Sequence, residues 1–333
     1  MTHSALIICT YCRSISLMRL LSSIKLQSVA PDQIIIVDGS EDIETQIALN
    51  VISDLPIEYH RVSQENRGLT KQRNIGVNLV NEQAEIVCFL DDDVVLDKDY
   101  FKEIISTYEK YPEALGVGGY ITNEVKWSSI RQNKNYGLDY FCYDGWARRE
   151  GIRFKVRRLL RLDSNKPPGC SPQFSHGRSI SHLPPSGKVY HVEQLMGGVA
   201  SYRKYVFESV IFSKYFEGYG LYEDADFSIR VSNIGPLFLN TKANLTHHHA
   251  PSGRPSSFKY GLMVVRNGYY VWRVKNPHPK LKDRFKWHAI TVLLMSIRAI
   301  NIISGPKRKQ ALLETIGRKI GWVSLVFSIP TSH

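Results

Sequence analysis

The chain has 333 residues, of which 43% are apolar and 22% charged. That length can bury a full core as one large domain with an appendage or as two modest domains, and the ordinary apolar share excludes a disordered or fibrous protein. The net charge of +12 is lopsided: residues 254–333 hold 15 Lys/Arg against 2 Asp/Glu, a net of +13, which leaves the rest at −1. A neutral body with a basic end calls for an anionic partner, and anionic lipid and nucleic acid both qualify.

Residues 5–9 are a short apolar run, a predicted strand, and 14–28 repeat Leu17, Leu20, Leu21 and Ile24 at helical spacing. Residues 34–37 are unbroken apolar sequence ending at Asp38; 43–52 read as a helix and 57–62 as a strand. A helix is predicted over 69–79, a buried strand over 86–90 ending at Asp91, a helix over 97–109 opened by Asp97 as its cap, and a strand over 115–120. Apolar strands joined by helices predict an α/β fold with a mostly parallel sheet covered on both faces. Ligands of such sheets bind beyond the C-terminal ends of the strands, which is where Asp38 and Asp91 stand. Residues 126–190 change character, rich in Pro, Gly, Ser and basic residues, and are expected to be an insertion over the site. Within it, 148–162 carry seven Lys/Arg among apolar residues, a solvated helix face or a second surface for lipid or phosphate. Residues 193–202 read as a strand, 204–213 and 223–232 as helices, and 236–247 as a strand.

Four clusters point to chemistry. Asp91, Asp92 and Asp93 adjoin after a buried strand, and their mutual repulsion is relieved by a hard divalent cation such as Mg²⁺ or Mn²⁺, or by service as a helix cap. Glu223 and Asp224 open a helix, where carboxylates either cap the end or act as a general base. His247, His248 and His249 end a strand, and one of them could supply a metal ligand or a phosphate contact. Arg67 and Gly68 precede a helix carrying Lys71, Arg73 and Asn74, a phosphate-facing group or a solvated face. No Gly-x-Gly-x-x-Gly follows the first strand and no Gly-Lys-Ser/Thr loop exists, which disfavours dinucleotide cofactors and P-loop hydrolysis.

In order and spacing these segments resemble family 2 glycosyltransferases with the GT-A fold, over residues 5–120 and 193–253. Leu6–Thr10 with Arg13, then Gln33–Ser40, are similar to that family's opening strand and base-binding strand. Arg67–Asn74 with Gly76 resembles the segment leading to the metal motif, and Val87–Val94 the Asp-x-Asp element. Met196–Arg203 resembles the glycine pair beside the donor sugar, and Tyr222–Arg230 the Glu-Asp element of the catalytic base. The resemblance implies a Rossmann-like nucleotide-sugar-binding fold and a metal-dependent, inverting transfer from a nucleotide-diphosphate sugar to an acceptor hydroxyl. It implies that Asp38 binds the nucleobase with Thr10 and Arg73 nearby, and that Asp91 and Asp93 hold ribose and Mn²⁺ or Mg²⁺. It further implies that His247, ahead of the run 250–253, is a late metal or phosphate ligand. Asp224 is then the base with Glu223 its neighbour, and Arg13, Arg67, Asp92, Gly197 and Gly198 line the donor. The expected division is a catalytic domain over 1–253 and a basic helical region over 254–333.

In that second region, 280–287 are basic and aromatic, 290–303 apolar but interrupted by Ser296, Arg298 and Asn301, and 307–309 are Lys-Arg-Lys. The apolar stretch 289–304 is shorter than a membrane crossing of about 20 residues. An in-plane helix on an anionic membrane is expected, which would bring the site to a lipid-linked or growing glycan; the alternative is helices packed on the catalytic domain. Five scattered cysteines fit a reducing compartment, and the Cys9–Cys12 spacing lacks the second pair of a zinc site. Residues 1–10 lack the features of a signal peptide, so a cytoplasmic, peripheral location is expected. A sugar nucleotidyltransferase would need a Gly-rich loop that residues 9–13 do not offer. A non-catalytic glycan- or lipid-binding protein on the same scaffold is the remaining rival, and no nucleic-acid reader motif is present.

Overall fold

Runs of Ile, Leu and Val that are apolar on every residue can be strands only if both faces are covered. β1 (Ser4–Thr10) and β2 (Gln33–Asp38) are such runs, and nearly every residue in them is buried. The computed structural model describes residues 2–132, 135–249 and 255–330. Between the first strands, α1 (Ser14–Lys25) turns Leu17, Leu20, Leu21 and Ile24 into the core, on the helical spacing that predicted it. α2 (Glu44–Leu49), β3 (Ile57–Arg61), α3 (Leu69–Asn78), β4 (Ile86–Asp91), β5 (Val94–Leu96), α4 (Tyr100–Lys110) and β6 (Gly116–Ile121) follow. The predicted cap of α4 is corrected. Asp99 holds the N-cap position and its carboxylate accepts from the Ser28 hydroxyl at 2.6 Å. Asp97 instead donates its N–H to the Asn244 carbonyl at 3.0 Å.

Residues 127–179 belong to a second compact unit together with 254–333. They carry β7 (Ser128–Ser129), β8 (Tyr140–Tyr143), β9 (Trp146–Arg149) and α5 (Ile152–Leu159). The first unit resumes with β10 (Val189–Val192), β11 (Val199–Arg203), α6 (Glu223–Ser232) and β12 (Leu237–His247). The strand predicted over 193–202 is thus interrupted. The Leu195 N–H goes to the Ser228 hydroxyl and the Gly197 N–H to Asp224, so the chain turns away from the sheet there. The helix predicted over 204–213 shrinks to a single 3₁₀ stretch at Lys204–Glu208. Val206, Val210 and Ile211 are weak helix formers, and the Phe212 N–H is taken by the Asn74 side chain at 3.0 Å.

The nine-stranded sheet runs β10-β12-β6-β11-β4-β1-β2-β3, with β5 paired to β12. The parallel expectation holds for β3, β2, β1 and β4 and for β6 with β12, while β11 enters antiparallel between β4 and β6. The C-terminal ends of β1, β2, β4, β6 and β12 consequently lie along one sheet edge.

Taken by itself, the second unit has two parts. Its small sheet, ordered β7-β9-β8, is antiparallel, and Asp144 and Gly145, with φ of 47° and 80°, make the two-residue turn between β8 and β9. An Asp-Gly pair between strands is a strong hairpin signal that the sequence reading passed over. Its helical part is α7 (Ser257–Lys275), α8 (Leu281–Ser304) and α9 (Arg308–Phe327). Tyr269, Trp272 and Trp287 pack as an aromatic cluster, and Glu314 on α9 ties Arg298 of α8 at 2.8 Å and Arg318 at 2.7 Å. The apolar stretch expected over 289–304 is continuous with upstream helix: α8 has 24 residues, long and apolar enough to cross a membrane by length and composition alone.

Candidate active site

β4 ends at Asp91, and its next residues turn directly into β5. β5 pairs antiparallel with the end of β12, Val94 opposite His247, and the His248 N–H donates to the Asp93 carbonyl at 2.9 Å. That register carries His247 to Asp93: its Nε2 lies 3.1 Å from Asp93 Oδ1. Ligand atoms of Asp91, Asp93 and His247 all fall within 4.8 Å of one another. Two carboxylates and an imidazole form a donor set that suits Mn²⁺ or Mg²⁺, so the residues fit such an ion. The run 250–253 that follows the histidines lies outside the described residues.

Asp92 points the other way. It is 3% exposed, accepts from the Thr10 hydroxyl at 2.7 Å and from Arg13 Nη1 at 3.0 Å, and so fastens the end of β4 to the end of β1. Burial pushes its carboxyl up, Arg13 and Thr10 pull it back, and the balance stands at about 6.

α6 brings the second pair of carboxylates. Glu223 Oε1 meets Arg73 Nη1 at 2.9 Å, and Arg73 Nη2 lies 3.6 Å from Asp91 Oδ1. Arg73 is 3% exposed, and Phe89 and Phe212 face its guanidinium at 5.8 and 5.3 Å. It therefore joins Asp91 at the end of β4 to Glu223 at the α6 N-terminus, the latter across 150 positions of sequence. Burial and the charge of Asp224 push Glu223 up to about 8 despite the adjacent guanidinium. Asp224 is also raised, chiefly by burial, although its oxygens accept the Gly197 N–H at 3.2 Å and the Ala225 N–H at 2.7 Å. The two glycines border both groups. The Gly198 carbonyl accepts the Asp91 N–H at 3.0 Å, and a methyl on Gly198 would stand 2.0 Å from Asp91 Oδ2. Gly197 approaches Arg73 and the Asp224 side chain in the same way.

The β2 side is separate in character. Asp38 is fully buried and accepts from the Ser40 N–H at 2.8 Å, from the Ser40 hydroxyl, and from Tyr59 at 2.9 Å. Arg67, at the entrance to α3, pairs with Glu41 at 2.9 Å. Gln72 clasps the ends of both strands, donating to the carbonyls of Thr10 at 3.1 Å and Val37 at 2.8 Å. The structure therefore gathers Arg73, Asp91, Asp93, Asp224, Glu223, His247, Gly197 and Gly198. It ties Thr10 and Arg13 to them through Asp92, and gives Asp38 and Arg67 partners of their own.

Sequence reasoning missed Glu124. Its Oε1 lies 3.0 Å from His247 Nδ1 and 3.1 Å from His249 Nε2. Burial opposes a charge on His247, but the hydrogen bonds to Asp93 and Glu124 outweigh it and push the imidazole up to about 10. The available signal was an acidic residue just past the C-terminal end of a buried strand, the position that singled out Asp38 and Asp91.

Residues 5–180 match the sequence profile of "Glycosyl transferase family 2", more than half of the chain. The chain belongs to that family. It is 30% identical over 118 residues to the glucosyl-dolichyl phosphate glucuronosyltransferase of Haloferax volcanii, covering 34% of this chain and 37% of that one. It is 29% identical over 126 residues to glycosyltransferase GlyA of Streptococcus pneumoniae serotype 4, covering 38% of this chain and 16% of that one. The matches thus span well under half the length of these relatives. Among solved structures, GalNAc-T7 with UDP, GalNAc and Mn²⁺ superposes with a TM-score of 0.52 at 14% identity, over 91% of this chain and 58% of that chain. That likeness is one of fold, and it is the GT-A fold.

Proposed function

We propose that this chain is a metal-dependent, inverting glycosyltransferase that moves a sugar from a nucleotide-diphosphate sugar to an acceptor hydroxyl. The single observation that carries the reading is the convergence of Asp91, Asp93 and His247 beside the Arg73–Glu223–Asp224 group. Asp91, Asp93 and His247 would hold Mn²⁺ or Mg²⁺, which when bound neutralises charge growing on the nucleoside diphosphate as it leaves. Asp224 takes the proton of the acceptor hydroxyl. Its raised pKa makes it a stronger base than an ordinary aspartate, and the two backbone N–H groups fix its direction. The hydroxyl oxygen forms the new bond to the anomeric carbon as the bond to the phosphate oxygen breaks, a single displacement that inverts that centre. Glu223, raised to about 8, holds its proton over much of the neutral range. It therefore leaves Asp224 as the proton acceptor of the pair, while Arg73 holds Glu223 at 2.9 Å and Asp91 at 3.6 Å. Gly197 and Gly198 make room for the side chains of Asp91, Arg73 and Asp224 to stand against this turn, where the donor would bind. Thr10, Arg13 and Asp92 hold the strand ends against the donor, and Asp38 and Arg67 lie on the nucleobase side.

A lipid-linked acceptor is supported by the name of the Haloferax relative, a glucosyl-dolichyl phosphate enzyme, and by the second unit. Phe285 and Ile303 of α8 and Val326 and Phe327 of α9 are more than three-quarters exposed, at 76, 79, 78 and 85%, and Lys307, Arg308 and Lys309 are exposed at the start of α9. Apolar surface among basic residues suits the interface of an anionic membrane, and we place the chain peripherally on its cytoplasmic face. The test is a screen of nucleotide sugars with Mn²⁺ or Mg²⁺, measuring nucleoside diphosphate release by the parent and by Asp93→Ala. Release that needs metal and is lost in the variant is expected; no metal-dependent release from any donor would favour a binding protein on the same scaffold.

A further inference from the structure

His247 stands between two carboxylates. Its Nε2 faces Asp93 at 3.1 Å and its Nδ1 faces Glu124 at 3.0 Å. Glu124 follows β6, whose extension is stitched to the end of β12 residue by residue. The Thr122 N–H donates to the Leu245 carbonyl at 2.9 Å. The Asn123 side chain accepts the His247 N–H at 3.0 Å and donates to the His247 carbonyl at 2.8 Å. Those bonds, one from the main chain of Thr122 and two from the Asn123 side chain, hold the segment just before Glu124 against the end of β12 and bring its carboxylate to the ring. The Glu124 oxygen is held from a second direction by His249 Nε2 at 3.1 Å.

An imidazole that offers a lone pair to a cation through one nitrogen carries its proton on the other, and an acceptor for that proton fixes both tautomer and ring direction. We propose that Glu124 is the positioning residue of the metal site: it accepts the Nδ1–H of His247 and so turns the Nε2 lone pair toward Asp91 and Asp93. This rests on the metal-ligand reading above and adds to it a residue outside the ligand set, supplied by the segment that follows β6. Glu124 acts through His247 and touches no reacting atom.

The experiment measures binding of Mn²⁺ alone to the purified full chain, by the loss of the free-Mn²⁺ paramagnetic resonance signal, with a thermal melt of every variant. Glu124→Ala is expected to weaken Mn²⁺ binding by about 10- to 100-fold at an unchanged melting temperature. Glu124→Gln, whose amide oxygen still accepts the Nδ1–H, is expected to recover affinity to within about threefold of the parent, which a merely structural role would not produce. Where the alanine variant does not fold, Glu124→Asp withdraws the carboxylate by one methylene and is expected to lose about tenfold. Parent-like affinity in the Ala and Asp variants, with binding lost in Asp93→Ala, overturns the role of Glu124 and leaves the ligand set standing. A parent that binds no Mn²⁺, or an Asp93→Ala variant that binds it as the parent does, overturns the ligand set and the Glu124 role together.

Discussion

Glycine makes room for different things in the two units. In the first, a methyl on Gly198 would stand 2.0 Å from a carboxylate oxygen of Asp91. In the second, a methyl on Gly317 of α9 would stand 2.1 Å from the backbone carbonyl of Phe258 on α7. One glycine makes room for a carboxylate side chain; the other lets two helix backbones touch, as small residues do at tight crossings. Charge divides along the same line. Arg73 is 3% exposed and engaged by carboxylates, whereas Lys307, Arg308 and Lys309 are exposed. The first unit uses its closest contacts to gather charged side chains, and the second to pack helix backbones together.

Substitutions can break that contrast, beginning with the largest effect. Asp224→Asn removes the proposed base and keeps an acceptor for only one of the two N–H groups of Gly197 and Ala225, and turnover in a nucleoside diphosphate release assay is expected to fall by about 10²- to 10⁴-fold. Gly198→Ala displaces Asp91 and is expected to lower turnover by about 100-fold, since misplacement by about 1 Å carries that penalty. Replacing Lys307, Arg308 and Lys309 by Gln is expected to weaken binding to anionic vesicles on the order of a hundredfold, at about 1 kcal/mol per basic residue. Co-sedimentation measures it, and equal binding of parent and variant would remove the membrane reading. Gly317→Ala is expected to cost about 1–3 kcal/mol through overpacking, seen as a lower melting temperature with donor turnover retained. If Gly317→Ala instead abolished turnover at an unchanged melt, the contrast between the two glycines would be wrong.

The smallest effect depends on pH. Glu223 is raised from 4.5 to about 8 in the folded protein, so the native state binds its proton more tightly than the unfolded chain does. A raised carboxyl leaves stability undiminished below about pH 4.5 and lowers it progressively as pH rises toward 8. Glu223→Gln cannot lose a proton and keeps an acceptor for Arg73. The melting temperature of the parent is therefore expected to fall by a few degrees relative to the variant between those pH values. Parallel melting curves across the range would show that Glu223 is not held protonated.

Much of the first unit was legible because its signals are local. Apolar runs marked β1, β2 and β4, and the spacing of Leu17, Leu20, Leu21 and Ile24 marked α1. The errors fell where tertiary partners overrode local preference. Ser228 and Asp224 pull residues 195–197 out of a predicted strand, and Asn74 takes an N–H that a predicted helix over 204–213 would have used. In the second unit, 127–179 looked structureless because its strands are two to four residues long, too short to show periodicity. Asp144 and Gly145 alone announced the hairpin.

The sequence by itself determined the α/β character, the family, and the chemical identity of the groups available: carboxylates at strand ends, a Glu-Asp pair at a helix start, a histidine run and a basic end. Only the tertiary structure decided which of those groups meet. Arg73 reaches Glu223 across 150 positions, Asp92 reaches Thr10 across 82, and His247 finds Glu124 across 123. Residue type and spacing are written along the chain, but a hydrogen bond between distant strands depends on sheet order and register, which exist only once the chain has folded.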